Sequence, residues 1–338
     1  MNRVGRTAPR ARGHRLDVLY VLLCLVLLAG CDQRGQPAPA RPARIGVLDN
    51  GFANSTAQPI GALLDGLREH GHTEGDNLIV EYRFAEGRED RLPELAAQLA
   101  SVPVDVIVTT TTQATRAASE IGTRIPVVFT GLQDPVAAGL VESLARPGRG
   151  ATGTTLMTPQ LHGKRLQLLK DIIPGLTRVA VIANPSSASL SSLQLDDAAR
   201  PLGLDLRLLE VNRPDEFETT FDAAVRWHAQ ALMVLPDALF FNNRPRLIGL
   251  AAARSLPEIY WAREFADEGA LLAYGGNRAD AFRRAASYVD KILRGAKPAD
   301  LPVEQASQFD FVVNLKTAGR LGLSAPRELL IQATDVVR

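Results

Sequence analysis

The most specific chemistry in this chain belongs to the thiol of Cys31, which ends the segment Leu28-Ala29-Gly30-Cys31. Small residues before a cysteine let an extended backbone enter a signal peptidase. The apolar run 18–28 has eleven residues, well short of the roughly 20 that a transmembrane helix needs. The pattern predicts a bacterial lipoprotein signal peptide over residues 1–30, with lipid attached to Cys31. An ordinary secretory signal and an uncleaved anchor are the alternatives.

Cleavage changes the charge of the chain and its supply of cysteines. The formal net charge is +1, and a leader with five Arg and one Asp contributes +4, so the mature chain is near −3. A slightly acidic body predicts no nucleic-acid partner. Cys24 lies in the leader and Cys31 is acylated, so we expect no disulfide in an oxidising compartment.

The residues that follow Cys31 predict a tether and weakly indicate a membrane. Residues 31–43 are polar and rich in proline, which favours a semi-extended linker. Asp32, directly after the cysteine, is the residue type that marks inner-membrane retention in some Gram-negative bacteria. We therefore expect a protein on the periplasmic side of the envelope, held to a membrane by lipid.

Polar and aromatic side chains follow several predicted strands, and these could bind a small molecule. Hydroxyls at a helix start, with the positive end of the helix dipole, suit a carboxylate, and acids suit an ammonium group. Aromatic rings suit stacking on a flat group. The candidate ligand-binding residues are Asn50, Thr111, Thr112, Asp134, Asp237, Trp261, Glu264 and Tyr274. Helix capping by a threonine or by Asp134, and burial of the aromatics in a core, are the alternatives.

Motifs for catalysis or cofactor binding are weak. Residues 148–153 spell G-x-G-x-x-G, but no strand precedes them and no helix follows, as a dinucleotide site requires. We interpret this stretch as the connection between two lobes. The histidines are scattered, and no G-x-S-x-G elbow is present. The sequence predicts no catalytic residue, no metal and no cofactor.

The elements that must position these residues alternate between strand and helix from Arg44 onward. Apolar runs such as 45–48, 178–182 and 231–235 read as buried strands, and amphipathic patterns such as 58–70 and 136–144 read as helices. Strand–helix–strand units require parallel pairing, with helices on both faces. Two consecutive sets predict an α/β fold with two doubly wound parallel-sheet lobes and a ligand cleft between them.

The same pattern predicts the lobe boundaries. Residues 44–155 plus about 276–300 form the first lobe, and about 156–275 plus 301–338 form the second.

The chain resembles the ABC-transporter substrate-binding proteins of the tryptophan-binding TrpX-like type. The segments that carry the resemblance are 67–71, 74–77, 81–87, 104–108, 125–129, 134–136, 163–166, 263–265 and 274–275, and above all 288–305. The resemblance implies a fold of the type I periplasmic binding protein kind. It also implies cleft positions at Thr111, Thr112, Asp134, Asp237, Glu264 and Tyr274. The loops at 49–52 and 109–112 depart from the usual family sequences.

The signal peptide predicts a lipid anchor, and the resemblance implies a solute-binding protein of an ABC importer. We expect a monomer without catalysis of its own, which delivers a small polar molecule, such as an amino acid, to a permease and its ATPase. A ligand-sensing receptor subunit for a membrane signalling protein is the second reading. An extracytoplasmic enzyme is the third.

Overall fold

Strands and helices alternate along the chain and build two sheets. The computed structural model describes Met1 and residues 41–53, 57–122, 124–156, 161–186 and 195–338. The predicted cleavage site, Cys31 and most of the tether lie outside the described residues. In the described part, none of the helices combines the length and apolar character needed to cross a bilayer.

The first part of the chain comprises β1 (Ala43–Asp49), α1 (Ala57–Glu69), β2 (Leu78–Phe84), α2 (Leu92–Ser101), β3 (Val106–Thr109), α3 (Thr112–Glu120), β4 (Val127–Leu132) and β5 (Ala151–Thr155). The middle part comprises α4 (His162–Ile172), β6 (Arg178–Ala183), α5 (Leu195–Ala199), β7 (Asp205–Glu210), α6 (Phe217–Arg226), β8 (Ala231–Val234), α7 (Ala238–Asn242), α8 (Arg244–Ala253), β9 (Glu258–Tyr260), α9 (Arg263–Asp267) and β10 (Leu272–Gly276). The last part comprises α10 (Arg278–Leu293), β11 (Glu304–Gln305), β12 (Phe309–Asn314), α11 (Leu315–Arg320), α12 (Arg327–Gln332) and β13 (Asp335–Val337).

The first sheet has six parallel strands in the order β11-β5-β4-β3-β1-β2. Its order reverses between β1 and β3, which is a topological switch point. Apolar side chains cover both faces, because β1 directs Leu48 into one cluster and Ile45 and Val47 into the other. Helix α10 packs against α1 on this sheet, although it follows ten strands in the chain.

The second sheet has seven strands in the order β13-β12-β10-β9-β8-β6-β7. Strands β6 to β10 are mutually parallel, whereas β12 runs antiparallel to β10 and carries β13 at the edge. The order reverses between β6 and β8. The fold is therefore the predicted pair of α/β sheets, with two strands at one side, β12 and β13, that run antiparallel to the other five of the second sheet.

The chain passes between the sheets at three places, after β5, after β10 and after β11. Gly276 lies where these segments meet: a Cβ there would stand 2.8 Å from Leu156 Cδ2 and 3.1 Å from Ala306 Cβ. Strand β11 (residues 304–305) still pairs with β5 of the first sheet. The last crossing therefore follows residue 305, a few residues beyond the boundary at about 300 that the sequence predicts.

Two local predictions are wrong. Residues 136–144 form turns instead of a helix, because Gly139 takes φ +70° and ends the single turn that Ala138 N closes on Asp134 O. Residues 151–155, which include the end of the G-x-G-x-x-G stretch, form β5 inside the first sheet and not a connection between lobes. Gly153 has φ +149°, and a Cβ there would stand 1.9 Å from Phe129 O.

This geometry predicts that Gly153 serves strand packing. Gly153→Ala should destabilise the protein by about 2–4 kcal/mol, because the side chain meets the β4 backbone at a φ that L-residues rarely adopt. Gly150→Ala is the matched control, since nothing lies within 4 Å of its would-be Cβ. Urea unfolding measures both, and equal stability of the two variants would contradict the prediction.

The burial of Glu258 predicts that the stability of the protein depends on pH. The side chain is 2% exposed in the second sheet, and burial raises its pKa to about 8. The folded state therefore holds a proton that the unfolded state releases above its ordinary carboxyl pKa. This contribution to stability is complete below about pH 4 and is lost as pH rises toward 8, with a slope of at most about 1.4 kcal/mol per pH unit. Glu258→Gln should flatten the curve measured by urea unfolding, whereas Glu94→Gln, on an exposed side chain, should leave it unchanged.

Candidate functional site

A cavity of about 160 Å³ lies at the carboxyl ends of both sheets. From the first sheet it is lined by residues after β1, β3 and β4, and from the second by residues after β6, β8 and β9. Both switch points contribute, which is where doubly wound sheets bind ligands. The lining residues are Asp49, Gly51, Thr110, Thr111, Thr112, Gln113, Arg116, Thr130, Gly131, Leu132, Gln133, Asp134, Leu156, Ser186, Pro236, Asp237, Ala238, Phe241, Asn242, Trp261, Arg278 and Phe282.

Asp49 ends β1 with its carboxylate held on both oxygens. Thr110 Oγ1 donates to Oδ2, and the Gly51 N–H donates to Oδ1. Burial raises the pKa of this carboxyl, while the two hydrogen bonds and the positive charge of Arg278 act in the opposite direction. The side chain is 2% exposed, so its acceptors are fixed in one orientation.

The threonines after β3 line the cavity, and one of them also caps the next helix. Thr111 caps α3, with its Oγ1 accepting from Ala114 N at 3.2 Å. Thr112 is the first residue of α3 and also lines the cavity. The start of α3 therefore presents hydroxyls and the positive end of a nine-residue helix to the cavity, which is favourable for an anion.

The loop after β4 supplies an acid and an amide. Asp134 Oδ1 accepts from Ala137 N at 2.9 Å, so it closes the turn there, and its side chain also lines the cavity. Gln133 beside it has a buried Oε1 without a hydrogen-bond partner in the described structure. Asp134 thus holds a turn, since no helix forms over 136–144, and it also lines the cavity.

Asp237 supplies the acid from the second sheet. Its Oδ1 accepts from Leu239 N at 2.8 Å, which caps α7, and from Asn184 Nδ2 at 3.1 Å. Burial raises the pKa of Asp237, and these two hydrogen bonds act against that shift. Its Oδ2 accepts no hydrogen bond from the described residues. This oxygen belongs to an oriented carboxylate that can accept from a ligand N–H group.

Apolar side chains form the walls between these polar groups. Trp261 is 4% exposed and packs against Phe265, with ring centroids 4.8 Å apart. Phe241 contributes a ring on which the Arg278 guanidinium lies, 4.1 Å from the centroid. Leu132, Leu156 and Phe282 complete the apolar lining. Aromatic and aliphatic walls with a few polar anchors are typical of small-molecule sites.

The structure thus places Thr111, Thr112, Asp134, Asp237 and Trp261 in the cavity lining. Asn50 lies beside it, 2% exposed, with Nδ2 donating to Glu89 Oε1 at 3.3 Å. Glu264 lies behind Arg278, 3.4 Å from its Nε. Tyr274 is outside the lining because its ring packs against Phe309 and Phe311 of β12. That packing follows from the antiparallel pairing of β10 with β12, which the sequence did not predict.

Several lining residues are absent from the eight candidates that the sequence predicts, above all Arg278. Asp49, Thr110 and Gln133 each adjoin a candidate, whereas Phe241 and Arg278 lie four residues beyond Asp237 and Tyr274, each in the helix that follows. One feature of the sequence could have indicated Arg278. It is a cation directly after Gly275-Gly276-Asn277, in the first turn of a helix, and a positive charge there is unfavourable to the helix dipole. Among the described residues, no group of three or more His, Cys, Asp or Glu is arranged to hold a metal ion.

Comparisons with known proteins agree with this architecture. A curated relative is the tyrosine-binding protein of Clostridioides difficile (strain R20291), 25% identical over 260 residues, which cover 76% of this chain and 74% of that protein. A conserved domain protein from Vibrio cholerae O1 biovar El Tor matches with a TM-score of 0.82 and 28% identity, over 88% of this chain and 100% of that one.

Two further solved structures share the fold. The ABC domain of Streptococcus pneumoniae in complex with L-Trp has a TM-score of 0.82 and 24% identity, over 87% of this chain and 99% of that one. The ligand-free, open structure of CD0873 from Clostridium difficile has a TM-score of 0.65 and 24% identity, over 88% of this chain and 99% of that one.

The family model described as "ABC transporter substrate binding protein" matches residues 52–337, which include every strand except β1 and every cavity residue except Asp49 and Gly51. The match agrees with the resemblance found in the sequence. The chain belongs to the ABC transporter substrate-binding protein family.

Proposed function

We propose that this protein captures an amino acid with an apolar or aromatic side chain and delivers it to the permease of an ABC importer. The observation that carries the proposal is a cavity at both switch points, with acids, hydroxyls and aromatic walls in its lining. The names of the relatives support it, since one is a tyrosine-binding protein and one structure contains L-Trp.

The polar groups are suited to the two charged ends of an amino acid. The start of α3, with Thr111 and Thr112, suits the carboxylate. Asp237 and Asp134 suit the ammonium group, since both line the cavity and carry negative charge. Trp261 and Phe241 then border the space for the side chain.

The proposed setting is the periplasmic side of the cell envelope. Lipid on Cys31 would hold the protein at a membrane, with residues 31–43 as tether, and Asp32 favours the inner membrane. Two or three acyl chains at one cysteine make such anchoring stable. There a monomer can exchange ligand with a permease, which its ATPase drives.

A receptor subunit for a membrane signalling protein is the second candidate, because it would use the same cavity. Partner identity separates the two: co-purification of the lipidated protein with a permease supports transport, and co-purification with a membrane kinase supports sensing. An enzyme would turn over its ligand. Recovery of unchanged ligand after incubation would count against that reading.

A binding screen tests the proposed function directly. The soluble domain, residues 42–338, should be stabilised by at least one of L-tryptophan, L-tyrosine, L-phenylalanine or L-leucine in a thermal-shift assay. A ligand at 100 times its Kd adds about 2.7 kcal/mol of stability. Sugars and nucleobases at the same concentration serve as controls. Stabilisation by these controls alone would contradict an amino-acid ligand.

Charge removal tests the ammonium anchors. Asp237→Asn and Asp134→Asn should each weaken amino-acid binding at least tenfold, which is about 1.4 kcal/mol, because each loses an anion facing the ligand ammonium. Asp65→Asn, on the exposed face of α1, is the control and should bind as the wild type does. Calorimetric titration measures the three affinities. Unchanged affinity in either cavity variant would remove that residue from the assignment.

A further inference from the structure

Arg278 forms an ion pair with Glu264, but its N–H groups donate no hydrogen bond within the described residues. Its guanidinium lines the cavity, and its side chain is 17% exposed. The buried Nε is one of these groups and has no hydrogen-bond partner among the described residues. By contrast, the neighbouring Arg244 donates to Glu268 at 2.6 Å and to Phe241 O at 3.0 Å.

The charge of Arg278 is nevertheless held in place. Glu264 Oε1 lies 3.4 Å from Nε without hydrogen-bond geometry, and the other carboxylate oxygen of Glu264 is buried without a partner. The guanidinium lies over the Phe241 ring at 4.1 Å from its centroid. An arginine stacked on an aromatic face is planar and pre-oriented, so it loses little freedom when it binds a carboxylate in bidentate fashion.

The position of Arg278 in its helix points to an external anion. Arg278 is the first residue of the 16-residue α10, whose positive dipole end disfavours a cation. Its presence there therefore does not stabilise the helix. An anion placed at this end would interact favourably with both the guanidinium and the dipole.

Asp49 links Arg278 to the threonine loop after β3, and both line the cavity. Asp49 receives a hydrogen bond from Thr110 and interacts electrostatically with Arg278. Phe241 and Glu264 belong to the second sheet's layers, whereas α10 packs on the first. Arg278 is thus placed between groups of both sheets, and Asp49 with Thr110 connects it to the loop that carries Thr111 and Thr112.

We propose that Arg278 completes the carboxylate subsite and makes a free carboxylate a requirement for binding. This inference rests on the proposed amino-acid ligand and deepens it. The ligand carboxylate accepts hydrogen bonds from the guanidinium, with Thr111 and Thr112 on its other side, while Phe241 and Glu264 hold the guanidinium in position.

The test compares an amino acid with the amine that lacks its carboxylate. L-tryptophan with tryptamine, and L-tyrosine with tyramine, are titrated by calorimetry into the wild type, Arg278→Gln and Arg278→Lys. We expect the wild type to bind the amino acid at least 100-fold more tightly than the amine. Arg278→Gln should bind the amino acid at least 30-fold more weakly than the wild type does, with little change in affinity for the amine. Arg278→Lys should have an affinity for the amino acid between those of the wild type and Arg278→Gln.

Arg244→Gln is the matched control, because Arg244 also lies over the Phe241 ring, at 4.6 Å, but its guanidinium donates to protein groups. It should retain the discrimination between amino acid and amine. An equal loss for both ligands in Arg278→Gln would indicate a structural role and overturn the inference. Unchanged affinity of Arg278→Gln for the amino acid would also overturn the inference.

The wild-type titrations separate this inference from the proposed function. If the wild type binds the amino acid and Arg278→Gln binds it equally well, only the role of Arg278 in the carboxylate subsite is overturned. Tight binding of the amines by the wild type also overturns it, since no carboxylate is then needed. Absence of amino-acid binding by the wild type overturns the proposed function and the subsite together.

Discussion

The close approach of three chain segments at Gly276 is the constraint on which the site depends. A Cβ at this position would stand 2.8 Å from Leu156 Cδ2, after β5, and 3.1 Å from Ala306 Cβ, after β11, so these neighbours would have to shift. Without one, the chain can pass between the sheets three times within a small volume. Leu156 on one side of this point and Arg278 on the other both line the cavity. The two sheets therefore meet with their carboxyl ends around one space.

The carboxylates at the edge of this space are held in fixed orientations. Asp49 is buried at the end of β1, Asp237 is half-buried three residues after β8, and desolvation raises the pKa of both carboxyls. Each is also held by hydrogen bonds from a side chain and from a backbone N–H. Carboxylates oriented in this way need no reorganisation to accept a cationic group. The dipole of α3 offers the opposite polarity across the same lining.

Local pattern predicted the elements well where one face of an element is continuously buried. Strand β6, Arg178–Ala183, matches the predicted run 178–182 to within one residue, because its side chains are buried from Val179 onward. The helix expected over 136–144 failed because one glycine, Gly139, takes a left-handed conformation. A hydrophobic pattern alone does not determine the backbone φ angle of a single residue.

The sequence by itself determined the two α/β sheets, their family and the strand ends where Thr111, Asp134, Asp237 and Trp261 lie. The sheets and the strand ends follow from hydrophobic periodicity and from the rule that parallel strands share a direction. The family follows from the resemblance that segments such as 288–305 carry. Only the tertiary structure decided that Tyr274 packs on β12 and that Arg278 enters the cavity. The reason is physical: the antiparallel partner of β10 and the return of α10 to the first sheet are long-range contacts, which no local spacing encodes.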